Sequence, residues 1–451
     1  MTATARRTNN ARVDADEAPL TLEGPTTRSL GLLDQFGMWG NLGVSLLGFT
    51  GAIVLLDPAY TGALTLSFTA GVVALVVGTL LGTAAVTVAA IPGARTGAPA
   101  MVLLRGLFGA KWSWLPTVLN IVQLTGWTTF ELVTISTAME QVVDGVPRWV
   151  WVLAGGVLTT VLALRPLGWI KVLRKYVTVL VLAAMIWIGI QLLRQPLDLG
   201  QGSWSGFWIA VDTVISVAVS WVPVAADYSR HSTSVRATVV GTFVGYSVTQ
   251  IGCYLVGMIA LVGVAAGSTD QVFGALIAVP VGTLAFVVLA VREVDQSFVD
   301  TYSATVSVQN LAPRTDRRLI ALAVGVVATV LTLALDIADY TNFLVLIGSL
   351  FVPLLGVLAV DYFTGGRSWD LGESSPSRTL MLLPWLLGFV VYQCINPGYV
   401  SWWVDFWTAV RPFEPQTWMS ASLFSFAAAA IVTVPIRAIE SARHRRRART
   451  P

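Results

Sequence analysis

From Leu30 onward the chain repeats one unit, an apolar stretch of about 20 residues followed by a short polar break. A helix rises 1.5 Å per residue, so ~20 apolar residues cover the ~30 Å hydrocarbon core of a bilayer. Only 12% of the 451 residues are charged, about half the share of a soluble protein. Lipid is therefore the solvent, and within lipid the backbone must satisfy its own polar groups, which selects helices. We expect an all-α integral membrane protein with spans near 33–57, 65–90, 113–141, 149–164, 173–193, 206–226, 236–265, 274–304, 319–335, 341–361, 379–396 and 418–436. A nucleic-acid binder or a multidomain soluble enzyme lacks the charged surface it would need.

Orientation follows from the basic residues. With the N-terminus inside, 24 of the 28 Lys and Arg residues fall on the cytoplasmic side. Arg148, Arg194 and Arg411 fall outside, and Arg292 lies within a span. That asymmetry favours an even span count, twelve, with both termini cytoplasmic in the cell membrane. Residues 1–29 are polar, mixed in charge and without an apolar h-region, so they read as a disordered cytoplasmic tail and not a signal peptide. Residues 30–437 form the transmembrane domain, and 438–451 a basic tail suited to anionic lipid.

Cys253 and Cys394 are isolated, and His231 and His444 lie outside the apolar spans. Neither a metal site, a resident cofactor nor a catalytic nucleophile–base pair is expected, so an integral-membrane enzyme is a weak rival. No obligatory protein partner is evident.

Polar residues at depth are where function should lie, because each is costly in hydrocarbon unless paired or facing water. Glu131 sits in the third span, Asp212 in the sixth, and Arg292, Glu293, Asp295 and Asp300 in the eighth. Glu293, Ser297 and Asp300 share one helix face, and Arg292 and Asp295 are spaced to pair on a neighbouring one. One reading is a structural salt-bridge cluster. The other, which we prefer, is a cation- or proton-coupling site built from Glu293, Asp295, Ser297 and Asp300.

Two spans carry helix-weakening residues at mid-depth. The first has Gly37, Gly40, Gly43 and Gly48 around Asn41 and Ser45; the sixth has Ser216, Ser220, Trp221 and Pro223. Interrupted spans at matching places in two halves point to a substrate site between broken helices, with Asn41, Gly43 and Ser220 as candidates. In the third span, Gln123, Trp127 and Glu131 lie along one face. An indole beside amide and carboxyl groups suits a flat heterocycle, stacked on the ring and hydrogen-bonded in its plane.

At these segments the chain resembles the nucleobase–cation symporter family, the purine–cytosine permease group. The matching runs are SLGLLDQFGMWGNLGVSLLGFTGA, GARTGAPAMVLLRGLFG, LPTVLNIVQLTGWTTFEL, SWVPVAADYSR and VDTYSATVSVQNLAP. The resemblance implies the five-plus-five inverted repeat of the leucine-transporter type, with repeats at about 30–193 and 206–361 and two further helices at 379–436. It also implies import of a nucleobase or related heterocycle by cation symport and alternating access. Trp127 would stack the base, Glu131 would anchor it, and Trp221 would cover the other ring face. Sodium-using members place hydroxyls in the eighth span against first-span carbonyls. Here Arg292, Glu293, Val294, Asp295 and Gln296 stand at that place, which favours H⁺ over Na⁺. An amino-acid permease on the same scaffold is the nearest rival.

Overall fold

The computed structural model describes residues 20–22, 26–57, 65–172, 176–197, 199, 203–264, 269–335, 340–365 and 367–447. Those residues are overwhelmingly helical, and strand-like pairing among them is confined to two isolated bridges, Leu30 with Ser232 and Leu66 with Ser203. In chain order the helices are α1 (Leu32–Leu42), α2 (Leu46–Leu56), α3 (Phe68–Thr96), α4 (Ala100–Phe108), α5 (Trp114–Glu140) and α6 (Arg148–Ala163). Next come α7 (Pro166–Val172), α8 (Thr178–Leu192), α9 (Phe207–Val219), α10 (Ala225–Ser229), α11 (Val235–Val264) and α12 (Thr269–Ala278). The last are α13 (Gly282–Leu311), α14 (Arg317–Thr332), α15 (Tyr340–Thr364), α16 (Leu382–Ile395), α17 (Ser401–Val410) and α18 (Ala421–Arg447).

Among the described residues, five helical stretches are long and apolar enough to cross a membrane: α3, Phe207–Ser229, most of α11, most of α15, and the first part of α18. The pair α1 and α2 passes the same test jointly but is bent by 56° at its break. Exposed apolar residues recur at helical spacing, as in Leu153, Val157 and Val161 of α6 and Leu319, Leu322 and Val326 of α14. Such faces require a lipid surround.

Local chemistry sets the helix limits. Ser67 accepts from the Ala70 N–H at the start of α3, and Gly97, at φ +77°, ends it in the left-handed conformation. Asp316 caps α14 through the Arg318 N–H. Small residues then set the packing. A Cβ on Gly241 would lie 2.6 Å from the Gln35 Cβ, and one on Gly245 would lie 2.7 Å from the Phe36 carbonyl oxygen. Glycine alone lets α11 lie that close to α1.

Three expectations are corrected. The eighth span, expected at 274–304, is divided: α12 ends at Ala278, and α13 starts afresh at Gly282 and runs to Leu311. Pro280 lies in the interruption, where its missing N–H and its restriction on the preceding residue stop a helix. Short helices α4 and α17 occupy stretches expected to be loops.

The N-terminal tail of 1–29 is the third. Most of it lies outside the described residues, but the parts described are docked. Thr26 donates to the Gly97 carbonyl at 3.0 Å and Arg28 to the Ala94 carbonyl at 2.7 Å. The Leu20 carbonyl accepts from Gln309 at 2.7 Å and from the Arg317 backbone N–H at 3.0 Å. At the other end α18 continues unbroken across residue 437 to Arg447, so the basic segment begins as helix, while 448–451 lie outside the described residues.

Candidate functional site

The site is built where both interrupted spans lose their helix. Between α1 and α2 the chain passes through Gly43, Val44 and Ser45, and the Ser45 hydroxyl caps α2 by accepting from the Leu47 N–H at 3.1 Å. Between α9 and α10 lies a single 3-10 turn, Val222–Val224, containing Pro223. Breaks at depth leave carbonyls at one helix end and N–H groups at the other, and each needs a partner.

In the first break, α13 supplies them. The Glu293 carboxylate accepts from the Leu46 N–H at 2.6 Å and from the Ser45 hydroxyl at 3.2 Å, at the positive end of α2. The Arg292 guanidinium donates to the Asn41 carbonyl, at the negative end of α1, and to the Gln296 side chain. Gln296 in turn donates to the Leu42 carbonyl at 3.4 Å. Arg292 and Glu293 stand 3.3 Å apart with both side chains buried. A charge pair thus spans the gap, each member matched in sign to the half-helix end it meets.

The second break is held from α5. Gln123 donates to the Ser220 carbonyl at 3.0 Å, and Asn120 to the Pro223 carbonyl at 3.5 Å. The Ser220 hydroxyl is turned back onto the Val217 carbonyl at 2.7 Å.

A small cavity lies between the two breaks. Of the expected substrate residues, Gly43, Trp127, Glu131, Ser220 and Trp221 line it. Asn41 and Gln123 do not; they serve the backbone and α13 instead, Asn41 donating to Asp295 at 3.2 Å. Tyr246, Gln250 and Tyr254 of α11 and Gln296 of α13 also line the cavity, and the sequence reading missed them. Helix α11 carries several polar residues in its sequence, and its close approach to α1 at Gly241 and Gly245 is what sets which of them face the cavity. The cavity volume is about 20 Å³, room for about one water. Any larger ligand requires the lining to part.

Trp127 meets Phe343 edge-on at 5.4 Å, and Trp221 meets Trp39 edge-on at 6.4 Å. Both indoles are more than nine-tenths buried. Glu131 is buried against the cavity, 1% exposed. Its Oε2 is buried without a hydrogen-bond partner.

The remaining acids separate by role. Arg292 forms its ion pair with Glu293, and Asp295, the partner expected from spacing, takes the Asn41 amide instead. Asp300 lies further along α13, 2% exposed. Ser297 is fully buried on α13, and its hydroxyl has no hydrogen-bond partner. Asp212 is structural: it accepts from the Ser420 hydroxyl and from the Ala421 and Ser422 N–H groups, capping α18. Among the described residues no cluster of His, Cys, Asp and Glu has the form of a metal site.

The fold has counterparts among solved structures. The structure of Mhp1, a nucleobase-cation-symport-1 family transporter in a closed conformation with bromovinylhydantoin bound, superposes with TM-score 0.74 at 14% identity, covering 93% of this chain and 94% of that one. The inward-facing conformation of Mhp1 gives 0.69 at 14% identity, covering 94% and 93%. A Na⁺-coupled sialic acid symporter in its substrate-bound outward-open state gives 0.59 at 13% identity, covering 90% of each chain. At these identities the likeness is one of fold. No curated protein matches by sequence. The profile of the permeases for cytosine and purines, uracil, thiamine and allantoin matches residues 35–370. The chain belongs to that permease family, and is a multi-pass membrane protein and secondary transporter, not an enzyme.

Proposed function

We propose that this transporter imports a nucleobase or closely related heterocycle across the cell membrane, driven by symport of a proton. In this reading twelve spans form a five-plus-five inverted repeat with two further helices, and both termini are cytoplasmic. Substrate binds between the two breaks, with Trp127 and Trp221 against its ring faces and Glu131 at its edge. Rocking of one helix group against the other then exposes the site to either side in turn.

The observation that carries the reading is the pairing of two buried indoles with a carboxyl group at the crossing of the broken helices. Such a lining fits a flat ring with in-plane N–H groups. That Mhp1 holds a hydantoin in the conformation this chain resembles points the same way. A free amino acid fits less well. Its carboxylate would need the N-terminus of α2, and Glu293 already takes the Leu46 N–H there.

Proton coupling is supported at the first break. The Asn41 and Leu42 carbonyls, which a bound metal ion would need, receive Arg292 and Gln296. The buried carboxyl groups of Glu131, Glu293, Asp295 and Asp300, with Ser297 on the same helix α13 as the last three, are the groups that would carry the proton. The test is uptake of labelled cytosine, adenine, hypoxanthine, uracil and allantoin in transport-null cells. Uptake of at least one should rise as external pH falls, collapse with a protonophore and persist without sodium. Uptake that follows external sodium at fixed pH and membrane potential refutes the proton.

A further inference from the structure

We infer that Gln250 of α11 selects the substrate, presenting one donor and one acceptor to a lactam or amidine edge of the heterocycle. The inference rests on the proposed substrate class and adds the residue that reads it.

Gln250 is held at the first break by backbone proximity. A Cβ on Gly43 would lie 2.2 Å from the Thr249 Oγ1 and 3.0 Å from the Gln250 N. Thr249 itself is spent on its own helix, donating to the Gly245 carbonyl at 2.9 Å. The Gln250 side chain instead reaches the cavity shared with Trp127, Glu131, Trp221 and Gln296. It is 1% exposed, and neither its Oε1 nor its Nε2 has a hydrogen-bond partner.

Other buried amides among the described residues use at least one of their two polar atoms. Gln296 bonds Arg292 and the Leu42 carbonyl, Gln123 bonds Ser220, Gln309 bonds Leu20 and Thr315, and Gln35 accepts from Trp39. Among the described buried glutamines, Gln250 alone has both amide atoms unengaged. An unpaired amide at depth is costly and is retained where something else completes it. The group that completes a primary amide is an adjacent acceptor and donor, as in O=C–N–H or N=C–NH₂, the edge a glutamine also reads on adenine. With Glu131 on the same cavity, the site would read hydrogen-bonding edges while the indoles hold the ring.

The experiment uses the purified full-length protein, with cytosine and hypoxanthine as probes, each against its analogue methylated at the lactam or amidine nitrogen. The wild type should bind at least one parent roughly tenfold more tightly than its methylated form. Gln250→Leu should lose about that factor on the parent and level the pair. Without any probe, Gln250→Leu should melt at a higher temperature than the wild type, since it removes an unsatisfied polar group. Gln250→Met carries the same test if the leucine variant does not reach the membrane. Unchanged parent affinity and unchanged discrimination overturn the inference, as does a lower melting temperature in the probe-free variant. If the wild type binds no heterocycle, the substrate class fails first, and the melting comparison still judges the free amide.

Discussion

Arg292→Gln and Glu293→Gln disturb the joint between α1 and α2 from opposite ends. The two side chains are 3.3 Å apart and essentially inaccessible, so removing either charge strands the other at depth, at a cost of ~3–5 kcal/mol. In Glu293→Gln the amide oxygen can still accept from the Leu46 N–H, but that bond loses its charge assistance, about 1 kcal/mol. Arg292 would keep only the Asn41 carbonyl and Gln296. The double variant strands no charge. Two neutral amides meet the two helix ends, and the cost should fall to ~1–3 kcal/mol, the loss of charge-assisted bonds alone. The singles therefore sum to ~6–10 kcal/mol against ~1–3 for the double, a coupling energy of ~3–9 kcal/mol. Equilibrium unfolding of the four proteins in mixed micelles measures the cycle. Costs that add to within ~0.5 kcal/mol, or singles that each cost under ~1 kcal/mol, refute the charge-pair account of the break.

Other outcomes follow from the same geometry. Trp127→Ala should abolish saturable binding while membrane abundance stays near normal, and normal affinity in a binding assay would unseat it as the stacking residue. Glu131→Gln exchanges an acceptor for a donor beside Glu293; substrate affinity should fall by ~1–3 kcal/mol with an altered ranking of heterocycles, and uptake should lose its pH dependence. Gly43→Ala drives a methyl group to 2.2 Å from Thr249 and 2.8 Å from the Tyr246 carbonyl; overpacking of ~1–3 kcal/mol should appear as a lowered melting temperature.

His231, beyond the end of α10, donates through Nδ1 to the Thr27 carbonyl at 2.7 Å while Nε2 accepts from Arg230 at 3.0 Å. Burial, with Arg230, Arg317 and Arg28 nearby, lowers its pKa to about 3. The folded state thus binds this proton less readily than the unfolded one, and stability is full above ~6.5 and lost as pH falls toward 3. At pH ~5 the loss is about 2 kcal/mol, read as faster hydrogen exchange over 26–30. His231→Gln should flatten that dependence.

Much of the fold was legible because hydrocarbon imposes a length and a composition on each crossing. The weak points in the first and sixth spans were legible for a related reason: Gly43, Ser45 and Pro223 are poor helix formers clustered at mid-span. The partners of those weak points were not. Glu293 meets Leu46 from 247 residues away, and helical spacing suggested Asp295 as the mate of Arg292 when the adjacent Glu293 takes that place. Asp212 stood in the sequence as an acid at depth without a partner, and only the fold brings Ser420 and the start of α18 to it.

Gln250 shows the same boundary between levels. Its own segment contains only a polar residue in an apolar helix, a pattern that packing or function could explain equally. The sequence by itself determined the solvent, the helices, the places where they break and the stock of buried charge, because these depend on residues within one turn or one span. Tertiary structure decided which charge closes which break, which amide is left open to the cavity and which acid merely caps a helix. A hydrogen bond is specified within tenths of an ångström, and only the packing of distant helices brings two groups to that precision.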